Sequence, residues 1–365
     1  MNCQVTTPGK LILIGEYAVL EGAPALVMAV NRYARVSLIP RRGSHFTVHS
    51  TTLDTGKVSF RVTSRRKLAF PPKVTDSQIE KLRFFRNILE DFFLIEKLST
   101  DIPSHEIVLN TREFFLPKEP QKLGLGSSAA LTVALVQGIL YILNQKDIRI
   151  TDPDQLFRLS EKIHYRAQGK KGSGIDIASS CFGGTILFQK LFNREPYSFK
   201  INKIEIPEEL LIIPIWTGIS ASTPNLIKQV HEFQKKNQPA YDSIYNNLSQ
   251  ISQQACDALK GKNTLKFLDY CRQYFDTLTE LGEASQANIV SPVHRKIAGI
   301  VYNEGAVYKS SGAGGGDIGL AFTLSKEVAK RVSDKLLRSG FEILNIGLSL
   351  TGSCVKSRFI SKKGE

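Results

Sequence analysis

The pattern of apolar residues in the first part of the chain predicts strands. Residues 10–15, KLILIG, form an apolar run typical of a buried strand, and residues 25–39 continue in the same way. Residues 16–22 turn the chain between these two segments. A further hairpin is expected over residues 44–62, and a short strand over residues 105–110.

Helical spacing appears after these strands and in the second half of the chain. Residues 78–98 carry apolar side chains at the spacing of one helix face. Asp152-Pro153 is a start signal for a helix over residues 151–168. The remaining pattern predicts helices over 131–143, 175–181, 291–303 and 327–339, and two more over 240–281 with a break between them near Gly261. It predicts strands over 185–189, 210–216 and 341–348.

The length and composition indicate a soluble globular protein with more than one core. At 365 residues the chain exceeds the usual size of a single core, so two domains are expected. A polar, proline-containing stretch over 191–208 indicates the junction, which divides the chain into 1–190 and 191–365. Hydrophobic content of 42% and charged content of 22% are ordinary for a globular protein.

The formal net charge of +14 leaves three explanations open: nucleic acid, a small polyanionic substrate, or a solvated basic surface. The basic residues are scattered, apart from Arg65-Arg66-Lys67 and Lys170-Lys171, and aromatic residues do not interleave with them. A nucleic-acid partner is therefore not expected. A small anionic substrate would account for the local basic pairs, although it would not explain the whole charge.

The location expected from the sequence is the cytoplasm. The five cysteines are far apart, odd in number and without a CxxC pair, which argues against a disulfide framework or a zinc site and suits a reducing compartment. No apolar run approaches the ~20 residues of a membrane span, and no signal peptide is apparent. No membrane association is expected.

The stretch KLGLGSSAALTVA, residues 122–134, is the strongest candidate for chemistry. Glycines let the backbone approach an anion closely, and a helix that begins at Ser127 or Ser128 leaves its first N–H groups unpaired. The serine hydroxyls could cap the helix, bind phosphate or ligate Mg²⁺. The pattern is neither a Walker A loop nor a dinucleotide fingerprint. By itself it fits a capped helix after a turn as well as it fits an anion site.

Two other stretches and one lysine add candidates. KSSGAGGGDIGLAF, residues 309–322, is too rich in glycine to be explained by stability, and this indicates close approach to a ligand. AQGKKGSGIDIASSCFGG, residues 167–184, holds a basic turn followed by Asp176, which taken alone is better explained by pairing with a helix dipole. Lys10 opens the first strand, where a lysine is usually solvated but could serve as a compact cation beside phosphate.

Four stretches in order resemble the motifs of the GHMP kinases: TPGKLILIGEYAVLEG, KLGLGSSAA, AQGKKGSGIDIAS and KSSGAGGGDIGLA. Three segments are more similar in sequence to the phosphomevalonate kinases than to the mevalonate kinases: AQGKKGSGIDIA, WTGISASTPNLI and SSGAGGGDIGLA. The resemblance implies an α+β fold of two domains, a ribosomal-S5-like N-terminal domain that binds ATP and a ferredoxin-like C-terminal domain. It implies transfer of phosphate from ATP to 5-phosphomevalonate, in the mevalonate route to isoprenoids.

The resemblance also implies roles for individual residues. Lys10 and Asp176 would be catalytic, and ATP and Mg²⁺ would be the cofactors. ATP phosphates would lie on Gly124, Leu125, Gly126, Ser127, Ser128 and Ala129, and Ser128 would ligate Mg²⁺. The acceptor would contact Lys170, Lys171, Ser173, Gly174, Ser222, Thr223, Ser311, Gly312, Gly314, Gly315 and Asp317. Because the attacking group would be an anionic phosphate, Asp176 is expected to orient substrate or Lys10 more than to remove a proton.

One position departs from the pattern. Mevalonate kinases carry a Mg²⁺-ligating glutamate eleven residues before the catalytic aspartate, and here that position is Tyr165. Glu161 lies one helical turn earlier on the same face and is the candidate substitute. Two alternatives stay open: a sister kinase that acts on mevalonate, mevalonate 3-phosphate or a sugar phosphate, and a non-catalytic sensor or scaffold of the same fold. A monomer or a homodimer is expected.

Overall fold

The computed structural model describes residues 2–96, 103–117, 121–143, 152–169, 172–192 and 198–358. Its larger sheet is built on two long antiparallel strands, β1 (Asn2–Ile14) and β2 (Ala25–Pro40). The remaining strands of this sheet are β3 (Phe46–Ser50), β4 (Val58–Val62), β5 (Leu68–Ala69), β6 (His105–Asn110), β7 (Thr185–Leu191), β8 (Ser198–Ile204) and β13 (Cys354–Arg358). They pair in the order β13-β1-β2-β6-β3-β4-β5, and β7 joins β2 to β8.

Both faces of β1 are buried, which explains the continuous apolar run that predicted it. Leu11 and Leu13 pack into a core shared with the C-terminal helices, whereas Val5 and Ile12 pack into a second core beneath the N-terminal helices. A strand with two buried faces needs apolar residues at every position, because successive side chains point to opposite sides. The predicted first strand is confirmed and extends eight residues further towards the N-terminus.

The helices fall into two sets along the chain. In the first part of the chain they are α1 (Asp76–Lys81), α2 (Arg83–Glu96), α3 (Ser127–Leu143), α4 (Pro153–Ala167) and α5 (Ile175–Phe182). In the second part they are α6 (Thr223–Lys236), α7 (Gln238–Lys260), α8 (Thr264–Ser285), α9 (Pro292–Asn303) and α10 (Lys326–Arg338). Asp152 caps α4 by accepting a hydrogen bond from the N–H of Asp154, as its start signal predicted.

A second, four-stranded antiparallel sheet lies in the second half of the chain. Its strands are β9 (Leu211–Trp216), β10 (Val307–Ser311), β11 (Ile318–Thr323) and β12 (Glu342–Ile343), in the order β10-β11-β9-β12. The glycine run that the sequence singled out connects β10 to β11. The mixed α+β architecture is therefore confirmed. None of the described helices has the length and apolarity that crossing a membrane requires.

The last strand was predicted wrongly. Residues 341–348 keep only two residues in strand conformation, because the chain then leaves the small sheet and bonds to β2. The N–H of Ser349 donates to the carbonyl of Ala29, and Gly347 bonds with Asn31 through both its N–H and its carbonyl. The sequence prediction also missed β13, and it merged α1 and α2 into one helix over 78–98.

The predicted division at residue 190 stays a prediction. The strand pairing shows that later segments return to the larger sheet: β8 pairs with β7, and β13 pairs with β1. The second half of the chain thus contributes edge strands to the first half. The junction predicted over 191–208 contains β8.

Candidate active site

The glycine-rich stretch forms a tight loop directly before α3. Gly124 and Gly126 have φ angles of 71° and 77°, a left-handed conformation that side chains other than glycine rarely adopt. A Cβ on Gly124 would lie 2.5 Å from Oδ2 of Asp317, and one on Gly126 would lie 3.1 Å from Cγ of Lys10. Helix α3 begins at Ser127, so its first N–H groups lack acceptors within the helix. Free N–H groups at a helix start are donors that an anion can accept from, so the geometry is compatible with the predicted anion site.

Lys10 lies against this loop because β1 approaches it closely. A Cβ on Gly9 would lie 2.6 Å from the carbonyl oxygen of Leu125, so only glycine fits there. The N–H of Lys10 donates to that same carbonyl at 2.9 Å. The pairing of β1 with β2 shifts register between Pro8 and Gly9, immediately before the lysine.

The ammonium group of Lys10 connects the loop to Asp176. Its Nζ lies 3.3 Å from the carbonyl oxygen of Gly124 and 3.7 Å from Oδ1 of Asp176. The lysine side chain is 8% exposed, whereas the aspartate side chain is 34% exposed. Asp176 lies in the first turn of α5, which begins after Gly174 in the left-handed conformation. A shielded cation and a solvent-accessible carboxylate therefore lie side by side next to the glycine loop. The space beside this loop is called the opening below.

Ser128 contacts two side chains that the sequence reasoning missed. Its Oγ lies 3.4 Å from Nε2 of His164 and accepts a hydrogen bond from Nε2 of Gln168 at 3.2 Å. Burial lowers the pKa of His164 to about 4, against the opposing effect of Asp176. His164 and Gln168 are four residues apart at the end of the predicted helix 151–168, and that spacing was the available signal.

The C-terminal glycine run lies on the other side of Lys10. A Cβ on Gly312 would lie 3.9 Å from Nζ of Lys10, and one on Gly314 would overlap the carbonyl of Ile289. Gly315 also has a left-handed φ, and a Cβ there would lie 3.1 Å from Leu226. The run therefore requires glycine for close packing against its own protein as well as for its conformation.

Asp317 connects this run to the glycine loop. It has a φ of 55°, and its Oδ1 accepts a hydrogen bond from the N–H of Ala221 at 3.1 Å. Burial raises its pKa, and the Ala221 hydrogen bond and the charge of Lys10 oppose that rise. Ser222 and Thr223 follow Ala221 directly and are exposed at the start of α6. Their hydroxyls thus lie beside the elements that carry the loop and the run.

The remaining predicted acceptor residues differ in availability. Ser173 is buried, and its Oγ accepts from the N–H of Ile175. Ser311 is also buried, and its Oγ exchanges hydrogen bonds with both the N–H and the carbonyl of Ile12 at 3.0 and 2.9 Å. Lys170 and Lys171 lie outside the described residues. Contact of these residues with an acceptor stays a prediction.

The donor set around the loop fits a magnesium ion that is held mainly by nucleotide phosphates. Mg²⁺ commonly keeps several waters and takes few protein ligands besides substrate phosphates. Ser128 offers a hydroxyl at the helix start, and Asp176 offers an accessible carboxylate. Glu161 lies beside Gly174, where its Cγ would be 3.1 Å from a Cβ added to the glycine. Burial raises the pKa of Glu161, and the charge of Lys190 opposes the rise. Within the described ranges, no three His, Cys, Asp or Glu side chains gather as a metal site.

Comparison with known proteins agrees with the resemblance. The family model for the GHMP kinases N terminal domain matches residues 93–184, which contain the glycine loop and Asp176. A phosphomevalonate kinase from Streptomyces sp. (strain CL190) is 26% identical over 348 residues, which cover 89% of this chain and 91% of that protein. A mevalonate kinase from Archaeoglobus fulgidus is 28% identical over 252 residues, which cover 69% of this chain and 71% of that one.

The fold is shared with a solved kinase. The phosphomevalonate kinase of Streptococcus pneumoniae, solved in complex with phosphomevalonate and AMPPNP, superposes with a TM-score of 0.75 at 21% identity and covers 94% of this chain and 99% of that chain. The predicted α+β, two-domain GHMP kinase fold is confirmed, and so is the resemblance to that family. Together the matches support a GHMP-family kinase.

Proposed function

We propose that this protein transfers the terminal phosphoryl group of ATP to the phosphate of 5-phosphomevalonate and releases ADP and 5-diphosphomevalonate. The observation that carries the proposal is the convergence on Lys10. Its ammonium group lies 3.3 Å from the glycine loop, 3.7 Å from Asp176 and next to Gly312 of the C-terminal run. Three stretches far apart in sequence thus surround one cation, as transfer between two anions requires.

The phosphate-binding role falls to the backbone of the loop. Gly124 and Gly126 open the space above the start of α3, and the unpaired N–H groups of Ser127, Ser128 and Ala129 provide donors. Leu125 turns its side chain into the core and anchors Lys10 through its carbonyl. Lys10 then neutralises charge that develops between donor and acceptor, which is where preorganised cations contribute most to rate.

Asp176 holds the lysine and is accessible from the opening. The acceptor oxygen of a phosphomonoester is already anionic near neutral pH, so the reaction needs positioning more than a strong base. At 3.7 Å the carboxylate attracts the ammonium group without a close hydrogen bond. We assign Asp176 to orienting Lys10 and the acceptor.

The acceptor side is proposed to be the turn before α5 and the start of α6. Ser173 and Gly174 lead into Asp176, and the sequence places Lys170 and Lys171 just before them. Ser222 and Thr223 would contribute hydroxyl donors, and the run Ser311, Gly312, Gly314 and Gly315 would close over the acceptor together with Asp317. Bound magnesium would neutralise phosphate charge, with Ser128 as a ligand and Glu161 at longer reach.

The direct test is an acceptor panel with ADP release as the readout. We expect kcat/KM for 5-phosphomevalonate to exceed that for mevalonate, mevalonate 3-phosphate and sugar phosphates by tenfold or more, which is about 1.4 kcal/mol in transition-state binding. ADP release with ATP alone sets the background. A tenfold preference for mevalonate would contradict the proposed acceptor and leave the kinase assignment in place. Absence of transfer to every acceptor would contradict both.

Mevalonate is the second candidate acceptor. The observation in its favour is the 28% identity with the mevalonate kinase named above, which exceeds the identity with the phosphomevalonate kinase over a shorter stretch. A hydroxyl acceptor needs a base aligned with one O–H, so Asp176→Asn would then remove turnover almost completely. With a phosphate acceptor the same variant should keep measurable turnover, because the nucleophile carries its own charge.

A further inference from the structure

A second ion pair lies behind the active site, between Glu16 and Lys309. The Oε1 atom of Glu16 accepts a hydrogen bond from Nζ of Lys309 at 2.5 Å, and the two side chains are 1% and 0% exposed. The residues are 293 positions apart in sequence. Glu16 follows β1, which carries Lys10, and Lys309 lies on β10, which leads into the C-terminal glycine run.

The pair also holds the backbone of that run. The same Oε1 atom of Glu16 accepts a hydrogen bond from the N–H of Gly312 at 3.3 Å, and Nζ of Lys309 donates to the carbonyl of Ser310 at 2.6 Å. The second carboxylate oxygen of Glu16 is buried and has no hydrogen-bond partner among the residues that the structure describes. One oxygen of the Glu16 carboxylate thus bonds to both Lys309 and Gly312, while the other oxygen makes no compensating hydrogen bond within the described residues.

Two further contacts connect the same segments. The hydroxyl of Tyr17 donates to the carbonyl of Ala313 at 2.6 Å, and Tyr17 adopts a left-handed φ of 61°. The hydroxyl of Ser311 bonds with both backbone groups of Ile12. Consecutive residues of the run are therefore attached to consecutive parts of β1 and its following turn. A non-glycine residue in this conformation persists only where its surroundings enforce it.

Stability alone does not account for such a pair. Removing two charges from water is costly, and replacing a buried ion pair by well-packed apolar side chains is often neutral or stabilising. What the pair provides that apolar residues would lack is an acceptor for Gly312 in a fixed position. Gly312 in turn lies next to Nζ of Lys10.

We propose that Glu16 and Lys309 are positioning residues that fix the C-terminal glycine run against Lys10, through the hydrogen bond from the Gly312 N–H to the Glu16 carboxylate. This inference rests on the proposed function only in that its effect is on phosphoryl transfer. It holds for whichever acceptor the unmodified protein prefers. It separates the pair from Lys10 and Asp176, which face the opening.

The test compares variants that separate fold stability from positioning. Glu16→Gln keeps an acceptor for Gly312 but leaves the Lys309 charge without a partner. The double variant Glu16→Leu/Lys309→Met removes both charges and also removes the acceptor. We expect opposite outcomes: Glu16→Gln should melt at a lower temperature and keep kcat/KM within about threefold, whereas the double variant should melt near the parent and lose tenfold or more in kcat/KM.

Nucleotide affinity separates a loss of positioning from a general structural defect, because only a general defect would also weaken nucleotide binding to the glycine loop. The affinity for a fluorescent ATP analogue should stay within about twofold in both variants, because the loop is held by β1 and α3. Lys262→Met, which removes an exposed lysine paired with Glu205, is the control. A double variant with parental stability and parental kcat/KM would overturn the proposal.

Tyr17→Phe tests a second attachment of the same glycine run. It retains the ring and removes only the hydrogen bond to Ala313, so it should lower kcat/KM severalfold without changing nucleotide affinity. If the double variant does not fold, a folded Glu16→Gln variant that loses tenfold or more in kcat/KM, although it keeps the acceptor for Gly312, would overturn the proposal. Activity of the unmodified protein on another acceptor would instead contradict the proposed function and leave this inference standing.

Discussion

Two ion pairs begin on the same segment of the chain and differ in almost every physical property. Lys10 pairs with Asp176 at 3.7 Å, with an aspartate side chain that is 34% exposed. Six residues later, Glu16 pairs with Lys309 at 2.5 Å, with both side chains almost completely buried. The first pair faces the opening between the glycine loop and the glycine run, and the second lies behind that run.

The difference separates two tasks that charged residues perform in one site. A long, partly exposed pair is weakly coupled, so Lys10 can turn from Asp176 towards a bound phosphate at small cost. A short, buried pair cannot rearrange without leaving an uncompensated charge in the interior. The partly exposed pair is suited to chemistry and the fully buried pair to geometry. The substitutions below would break or sharpen that distinction.

The largest effect is expected from Lys10→Met. Removing a preorganised cation at the point of charge development should lower kcat/KM on the order of 10³-fold, which is about 4 kcal/mol. Thermal stability should change little, because the pair with Asp176 is long and partly exposed. Steady-state kinetics and thermal melting measure the two quantities, and Lys262→Met is the matched control. A variant that keeps a tenth of the parental kcat/KM would remove Lys10 from the catalytic role.

Gly124→Ala tests how closely the loop approaches the C-terminal run. A methyl group there would collide with Asp317, and the left-handed φ adds strain, so we expect a loss of roughly 1–3 kcal/mol of unfolding free energy together with weaker ATP binding. Gly340→Ala is the control, because Gly340 has a φ of 84° and open space around its Cβ position. Denaturant unfolding should therefore show a larger loss for Gly124→Ala than for Gly340→Ala. Equal losses would mean that conformation alone requires glycine in the loop.

Ser128→Ala tests whether the Ser128 hydroxyl is a ligand of Mg²⁺. Loss of a hydroxyl ligand should lower turnover by roughly tenfold to a hundredfold at limiting Mg²⁺, with a smaller loss at saturating Mg²⁺ and almost no change in stability. The measurement is turnover as a function of Mg²⁺ concentration, with the exposed Ser44→Ala as the control. Near-normal turnover at limiting Mg²⁺ would contradict the metal assignment of Ser128.

The last prediction concerns stability and its pH dependence, in the interior beside Lys309. His294 lies beneath the glycine run, where its Nδ1 is 2.7 Å from the Tyr308 hydroxyl and its Nε2 is 3.0 Å from the Gly316 carbonyl. Burial lowers the pKa of His294 from 6.5 to about 4; the Gly316 hydrogen bond opposes this shift and the charge of Lys309 adds to it. The unfolded chain therefore takes up a proton first as pH falls, so stability should decrease between pH 6.5 and 4, at about 1.4 kcal/mol per pH unit for this group.

Urea unfolding over this pH range measures the effect. The slope should be smaller in His294→Asn by about that amount, whereas the exposed His231→Asn should keep the parental slope. A slope that is the same in His294→Asn and the parent would show that His294 does not titrate differently in the folded and unfolded states.

Local sequence predicted the elements whose cause is local. The run KLILIG predicted β1, the Asp152-Pro153 signal predicted α4, and the density of glycine in 309–322 indicated a special backbone between β10 and β11. These predictions succeeded because periodicity, capping and backbone freedom depend on neighbours in sequence. The prediction of a strand over 341–348 failed because hydrogen bonds to Ala29 and Asn31, some 300 residues away, decide the course of the chain there.

The sequence by itself determined the motifs, their order and the residue types that phosphoryl transfer would need. Only the tertiary structure decided which of these residues meet. It placed Lys10 between the glycine loop, Asp176 and Gly312, added His164 and Gln168 beside Ser128, and paired Glu16 with Lys309. The physical reason is that contacts between residues hundreds of positions apart arise from packing the two cores against β1, and no local pattern encodes that distance.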